Sequence, residues 1–493
     1  MTQKRRVEIR HLPTGVPGLD TVMGGGIPEY SFNLIAGEPG GGKTTLAHQI
    51  LFANATPERP ALYFTILGEP AVKMLRYQQQ YSFFDPDRIG EVVRFVNLSD
   101  EVNERGLEGV LERIIAEVEA TSPGMVIVDS FRTAIRASDD PPLGERELRS
   151  FVQRLALHLT SWQATSFLVG EYMPVERESD PVFTIADAIL WLSQPADRNS
   201  VVRKLQVVKA RGLAHMPGLH TFKITADGLR VFPRISLSVR EEDRATPRGR
   251  ASTGVAALDE MMGGGIPQGD SVLITGPSGT GKSVLATQFI AEGVAKGEPG
   301  VLVVFEEHPK EYIHRAEGLG LPLRDMIEKG MLEVMYLRPL DLSPDETLFE
   351  IREASQRVGA RRVVIDSMSG FEMALAPTFR TDFRESLYRL IGALTGVGIT
   401  VLTTMEIVQD QMEMRFTSNV VSFLADVLIL LRYIEADGEI RKVLTVGKMR
   451  GSQHSKALRE YDITKHGFEI GKGLEGFHGS VSGAPYLTAT PPA

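Results

Sequence analysis

The 493-residue chain contains no cysteine, which rules out disulfides and thiolate metal sites and permits a reducing compartment. It also lacks any apolar run approaching the roughly 18–20 residues that a membrane-spanning helix needs. Basic charge is in short supply: 54 Lys and Arg stand against 63 Asp and Glu, a formal net charge of −9. That deficit argues against a nucleic-acid partner, whose footprint shows itself as a basic domain or stripe. The opening residues MTQKRRVEIRHLP are basic, but no apolar segment follows them, so a secretory signal is not expected. The expectation left is a soluble cytoplasmic protein with no membrane contact. With 42% hydrophobic and 24% charged residues the chain has the makings of ordinary folded cores. Its length allows two or three domains.

What the chain does contain is itself, twice. Thr14-Gly15-Val16-Pro17-Gly18-Leu19-Asp20 recurs as Thr253-Gly254-Val255-Ala256-Ala257-Leu258-Asp259. Gly24-Gly25-Gly26-Ile27-Pro28 recurs as Gly263-Gly264-Gly265-Ile266-Pro267. The same interval of 239 positions links Lys43 to Lys282, Asp187 to Asp426, Lys209 to Lys448 and Arg211 to Arg450. A period of that size is a duplicated domain, since solenoid units run about 20–50 residues. The expected organisation is a first domain over 1–235, a charged linker over 236–250 and a second domain over 251–475. The small, polar, Pro-bearing tail over 476–493 is expected to be flexible.

Within each half, short apolar runs alternate with amphipathic stretches. Runs at 34–36, 61–66, 125–128 and 167–169 in the first half are answered by 272–275, 301–305, 363–365 and 400–403 in the second. Strands alternating with helices predict an α/β fold, here two tandem domains, each a mainly parallel sheet flanked by helices.

Each half carries a phosphate cradle. Gly37-Glu38-Pro39-Gly40-Gly41-Gly42-Lys43-Thr44 and Gly276-Pro277-Ser278-Gly279-Thr280-Gly281-Lys282-Ser283 both fit G-x-x-x-x-G-K-[ST]. The glycines let backbone N–H groups fold into a nest for phosphate oxygens, and the next helix presents its positive end to the same anion. Lys43 and Lys282 would neutralise the β- and γ-phosphates, and the hydroxyls of Thr44 and Ser283 would ligate Mg²⁺. Thr45 and Val284, next along each helix, join the candidate nucleotide contacts. Each match follows an apolar strand and precedes a helical segment, which is the context that confirms the motif. ATP with Mg²⁺ is the expected cofactor, and each half needs an acidic metal anchor at a neighbouring strand end. Asp129 closes Met-Val-Ile-Val-Asp and Asp366 closes Val-Val-Ile-Asp, in that place.

The halves differ where catalysis would need a base. Glu306 and Glu307 directly follow the strand-like run VLVVF, and a carboxylate at a strand end can orient or deprotonate an attacking group. Glu306 is also a candidate metal contact. The matching positions in the first half are Leu67 and Gly68, with Glu69 one place later, opposite His308. Leucine cannot act as a base. Either Glu69 substitutes from a shifted position, or the first half binds nucleotide and hydrolyses it poorly.

Taken together, the T-G-x-x-x-L-D and G-G-G-I-P openings, both cradles and the Glu306-Glu307 pair resemble the KaiC family of RecA-like tandem ATPases. So do the end motifs Lys209-Ala210-Arg211-Gly212-Leu213-Ala214-His215 and Lys448-Met449-Arg450-Gly451-Ser452-Gln453-His454. The resemblance covers about residues 10–475. It implies that Lys209, Arg211 and His215, with Lys448, Met449, Arg450, Ser452 and His454, reach nucleotide on an adjacent subunit. A hexameric ring with ATP at its interfaces follows. It further implies serine/threonine autophosphorylation in the second domain, with Ser422 at the family's Ser position; Phe423 replaces the adjacent Thr, so a two-site cycle is not expected. The short tail has no evident match to the family segment that engages KaiA. A KaiB-like partner belongs to the same implication, although no residue of this chain points to it alone. Two other readings stay open: a nucleotide-gated interaction switch with negligible turnover, and a RecA-type DNA-binding ATPase.

Overall fold

The computed structural model describes residues 9–66, 71–130, 141–178, 180, 182–197, 200–234, 249–337, 343–375, 383–407, 425–436, 438–465, 467–473, 477–478 and 486–487. The chain divides into two units, Met1–Arg234 and Ile235–Ala493. The stretches expected as linker and tail lie largely outside the described residues.

The central sheet of the first unit has nine strands: β1 (Phe32–Gly37), β2 (Ala61–Thr65), β3 (Val93–Asn97), β4 (Met125–Asp129), β5 (Thr165–Glu171), β6 (Ala188–Ser193), β7 (Lys204–Ala210), β8 (His220–Thr225) and β9 (Gly228–Phe232). Their order is β9-β8-β7-β6-β1-β5-β4-β2-β3. The run from β6 to β3 is parallel, whereas β7, β8 and β9 are added antiparallel. Four helices matter here: α1 (Lys43–Asn54), α2 (Ala71–Gln78), α3 (Ser99–Thr121) and α4 (Pro141–Ser161).

The second unit repeats this plan. Its strands are β10 (Ser271–Gly276), β11 (Gly300–Val304), β12 (Leu332–Tyr336), β13 (Arg362–Asp366), β14 (Thr400–Glu406), β15 (Val427–Ala436), β16 (Glu439–Met449), β17 (Arg459–Thr464) and β18 (Gly467–Gly473). The order β18-β17-β16-β15-β10-β14-β13-β11-β12 is the first sheet with every label raised by nine. The corresponding helices are α5 (Lys282–Ala295), α6 (Pro309–Gly318), α7 (Pro344–Val358) and α8 (Phe383–Gly396).

The apolar runs form these strands because a parallel sheet covered by helices is buried on both faces. Along β1, Ile35 points to the face where Leu46 and Ile50 of α1 pack with Ile127. Its neighbours Leu34 and Ala36 point to the other face, against Ile114 of α3 and Leu155 of α4. In β10, Val272 and Ile274 meet Leu285, Phe289 and Ile290 of α5. Each such Leu or Ile contributes about 1.5–3 kcal/mol when fully buried.

Register then places the chemistry. Gly37 is level with Glu171, Thr65 with Asp129, and Asp129 with Val169, so β1, β2, β4 and β5 all end at one edge. The carboxyl ends of parallel strands are where an open α/β sheet leaves its crevice. These two units are tandem RecA-like α/β domains of the kind expected.

Candidate active site

Each cradle is the turn between a central strand and its helix. Gly42 and Gly281 cap α1 and α5 with φ of 90° and 89°, a left-handed conformation that favours glycine. A side chain at Gly42 would also come within 2.7 Å of Ile224 Cδ1, and one at Gly281 would collide with Ile463. Gly40 and Gly279 share the left-handed region, at φ 74° and 77°. The Thr280 hydroxyl donates to Pro277 O at 2.8 Å and is fully buried in the loop. Thr45 is buried on α1, while Ser283 and Val284 line the second cavity.

The cradle lysines fold back over their loops. Lys43 Nζ donates to Glu38 O at 2.7 Å; Lys282 Nζ donates to Gly276 O at 2.9 Å and Pro277 O at 2.8 Å. Burial lowers the pKa of both lysines. Three carboxylates oppose this in each unit: Glu171, Asp129 and Glu38 for Lys43, and Glu406, Asp366 and Glu306 for Lys282.

The strand-end aspartates stand beside them. Asp129 Oδ2 accepts from the hydroxyls of Thr44 at 2.8 Å and Tyr63 at 2.6 Å. Burial holds its carboxyl above the ordinary value, against the pull of Tyr63, Thr44 and Lys43. Asp366 accepts from Thr404 and, at 3.1 Å, from Tyr312. A carboxylate and a hydroxyl, all oxygen, fit Mg²⁺, which is held by one or two carboxylates together with phosphate oxygens and water. Among the described residues no group of three or more His, Asp or Glu could hold a metal without such help.

In the second unit these groups surround a cavity of about 380 Å³ that Glu306, Glu307 and Glu406 also line. Ser367 Oγ donates to Glu306 Oε1 at 2.6 Å, and Glu307 is ion-paired to Arg315 at 2.6 Å. His308, the next residue, accepts from Lys310 N and caps α6. The fold therefore brings Glu306 and Glu307 to the cradle's mouth. Their counterparts Leu67 and Gly68, together with Glu69, lie outside the described residues, as does Ser422.

The end-motif cations are placed elsewhere. Arg211 pairs with Asp187 at 3.0 Å, and Asp187 in turn accepts from Phe32 N, at the start of β1. The cradle opens after Gly37, at the other end of this six-residue strand, about 17 Å away at ~3.3 Å per residue. Lys209 Nζ donates to Thr184 O at 2.8 Å, on the same remote side. In the second unit Arg450 pairs with Asp426 at 3.4 Å and Lys448 Nζ donates to Ala425 O at 2.7 Å. His215, His454 and Ser452 are half-buried, Ser452 accepting from Arg250 at 3.1 Å. Met449 ends β16 and packs its side chain in the core of its own unit.

A family model described as "ATPase: KaiC" matches residues 12–236 and again 251–475. The chain belongs to the KaiC family. Among similar proteins, the circadian clock oscillator protein KaiC of Acaryochloris marina is 28% identical over 98% of this chain and 92% of that protein. KaiC 1 of Synechocystis sp. is 29% identical over 97% and 92%, and KaiC of Prochlorococcus marinus 27% over 97% and 96%. The molecule is thus a KaiC-family ATPase with two tandem domains, and ATP is its nucleotide. No helix among its described residues is long and apolar enough to cross a membrane.

Sequence reading of this KaiC-family chain missed four site residues. Glu171 and Glu406 end β5 and β14, but they are 235 positions apart and slip through a search at 239. A search tolerant of small deletions would find them. Tyr63 and Tyr312 have no such signal, because they reach equivalent aspartates from different elements.

Proposed function

We propose that this KaiC-family ATPase works as a hexameric ring in which the second domain both hydrolyses ATP and phosphorylates its own chain. The carrying observation is the second cavity, where Lys282, Asp366 and the Glu306-Glu307 pair meet around one space. Lys282 sets its ammonium beside the cradle loop, ready for the β- and γ-phosphates. Thr44 with Asp129, and Ser283 with Asp366, are the Mg²⁺ anchors in this reading. Held there, Mg²⁺ would supply charge neutralisation for the phosphates of the bound nucleotide.

Glu306 is held by Ser367, which fixes its orientation at the cavity mouth. From there it orients a water or accepts the proton of an attacking hydroxyl. Ser422 is the acceptor in the self-phosphorylation reaction. Its phosphate would add about −1.5 to −2 charges, enough to alter ring stability or partner docking. Support for a ring comes from the end motifs: Arg211 sits a strand-length from its own cradle, so it serves nucleotide only if a neighbouring subunit brings one. The names of the relatives extend the reading to a timing or signalling hub with a KaiB-like partner.

The deciding experiment incubates the full chain with Mg-ATP and maps phosphosites by mass spectrometry, then repeats it with Ser422→Ala and Glu306→Gln. Phosphate at Ser422, absent in both variants, is the expected result. No phosphate there across time and nucleotide ratio leaves an ATPase without this kinase activity.

A further inference from the structure

The first domain lacks the glutamate pair, yet its cradle is fully formed. The geometry points to Glu171 as the carboxylate that orients the attacking water in the first domain, which makes that domain hydrolytic in its own right. This rests on the ATPase reading above and adds a residue to it.

Three observations converge. Glu171 is the last residue of β5 and is level with Gly37, the first glycine of the cradle. Beyond it the pairing continues, with Tyr172 N donating to Gly37 O at 3.1 Å, so the backbone at Glu171 is fixed against the cradle on both sides. The second unit shows where this position looks. Glu406 ends β14 level with Gly276, Ile407 N donates to Gly276 O at 3.3 Å, and the Glu406 side chain lines the nucleotide cavity beside Glu306. The duplicated strand end therefore aims a carboxylate at both cradles. In the first unit that carboxylate lies close enough to Lys43 and Asp129 to act on the charge of each, and it is foremost among the acidic neighbours of Lys43.

The position suits the task. β5 lies between β1, which leads into the phosphate loop, and β4, which carries Asp129. A side chain at its end faces the space beyond the β/γ end of a cradled nucleotide, where an in-line water must stand. In the step, water oxygen bonds to the γ-phosphorus as the bond to the β–γ bridging oxygen breaks. The water proton passes to Glu171 and then to the departing phosphate, giving ADP and inorganic phosphate. In the second unit Glu306 and Glu307 share the work; in the first, Leu67 and Gly68 leave Glu171 to do it.

The test uses the full chain with Glu306→Gln and Glu307→Gln, so that second-domain turnover is suppressed. A residual ATPase above that of Lys43→Ala/Lys282→Ala is expected. Adding Glu171→Gln should lower residual kcat by about 10²-fold or more, the usual loss for a positioned base. Affinity for a fluorescent ATP analogue should stay within about threefold, which a merely structural role would not allow. Glu69→Gln in the same background should leave kcat unchanged. Several results overturn the inference: no residual turnover, unchanged kcat in Glu171→Gln, loss of nucleotide binding together with kcat, or a loss that follows Glu69 instead. Wild-type turnover in the Glu306/Glu307 background is a separate failure, that of the second-domain assignment alone.

Discussion

The hydroxyl of Tyr63 donates to Oδ2 of Asp129 at 2.6 Å. Tyr312 makes the equivalent bond to Asp366, but Tyr63 stands on β2 and Tyr312 on α6. At the position equivalent to Tyr63 the second unit has Leu302, and at that equivalent to Tyr312 the first has Lys73. The duplicated domains thus hold the same carboxylate from different elements, a strand in one and a helix in the other. Thr287, 2.8 Å from the Tyr312 hydroxyl, completes the second arrangement, whereas the first has His48 against Tyr63, the rings tilted by 37° with centroids 4.4 Å apart.

Removing the second hydroxyl isolates what it does for the aspartate. Tyr312→Phe keeps the buried ring and should cost about 0.5–1.5 kcal/mol of stability, the net worth of one hydrogen bond. With Asp366 less firmly oriented, the Mg²⁺ concentration for half-maximal turnover should rise about tenfold or more, as for other residues that orient metal ligands. Urea unfolding and a Mg²⁺ titration of ATPase activity read the two effects. An unchanged Mg²⁺ requirement would show that Tyr312 serves packing alone.

His48 should make the first unit acid-sensitive. Its ring is fully buried, and burial lowers its pKa from 6.5 to about 4. The folded state therefore binds fewer protons than the unfolded state between those values. Stability is fully present above pH ~6.5 and falls as pH drops toward ~4. Each pH unit in that window removes up to about 1.4 kcal/mol. Replacing the residue by His48→Met should flatten the dependence of thermal unfolding on pH between 4 and 6.5. A slope equal to that of the parent chain would assign the sensitivity to other groups.

In the ring proposed above, Arg450 is expected to serve assembly and not folding. Its side chain is 57% exposed and its pair with Asp426 is a surface one, worth about 0–1 kcal/mol. Arg450→Ala should therefore leave unfolding almost unchanged while shifting the Mg-ATP form from hexamer to smaller species. Light scattering at micromolar protein decides the point. A variant hexamer as stable as the parent would remove Arg450 from the interface.

Much of this molecule is legible along the chain because its signals are local. A phosphate cradle is eight consecutive residues, and Gly42 or Gly281 announces a left-handed turn wherever it occurs in that pattern. The continuous apolar runs at 61–66 and 301–305 read as strands because both faces of a parallel strand are buried. Asp129 and Asp366 were found by their place at the ends of such runs. A motif match says nothing about which way a side chain points: Met449 lies within such a match, and its side chain packs in the core of its own unit.

The sequence by itself determined the duplication, the strand-and-helix alternation, both cradles, their metal-anchor candidates and the missing glutamates of the first half. Those properties are carried by residue type at short spacing, so they survive without a fold. Only the tertiary structure decided that Tyr63 and Tyr312 converge on equivalent aspartates, that Glu171 is level with Gly37, and that Arg211 sits a strand-length from its own cradle. Each is a relation between strands or between a strand and a helix. It is set by which strands are neighbours and in what register, and neither is written in the spacing of residues along one segment.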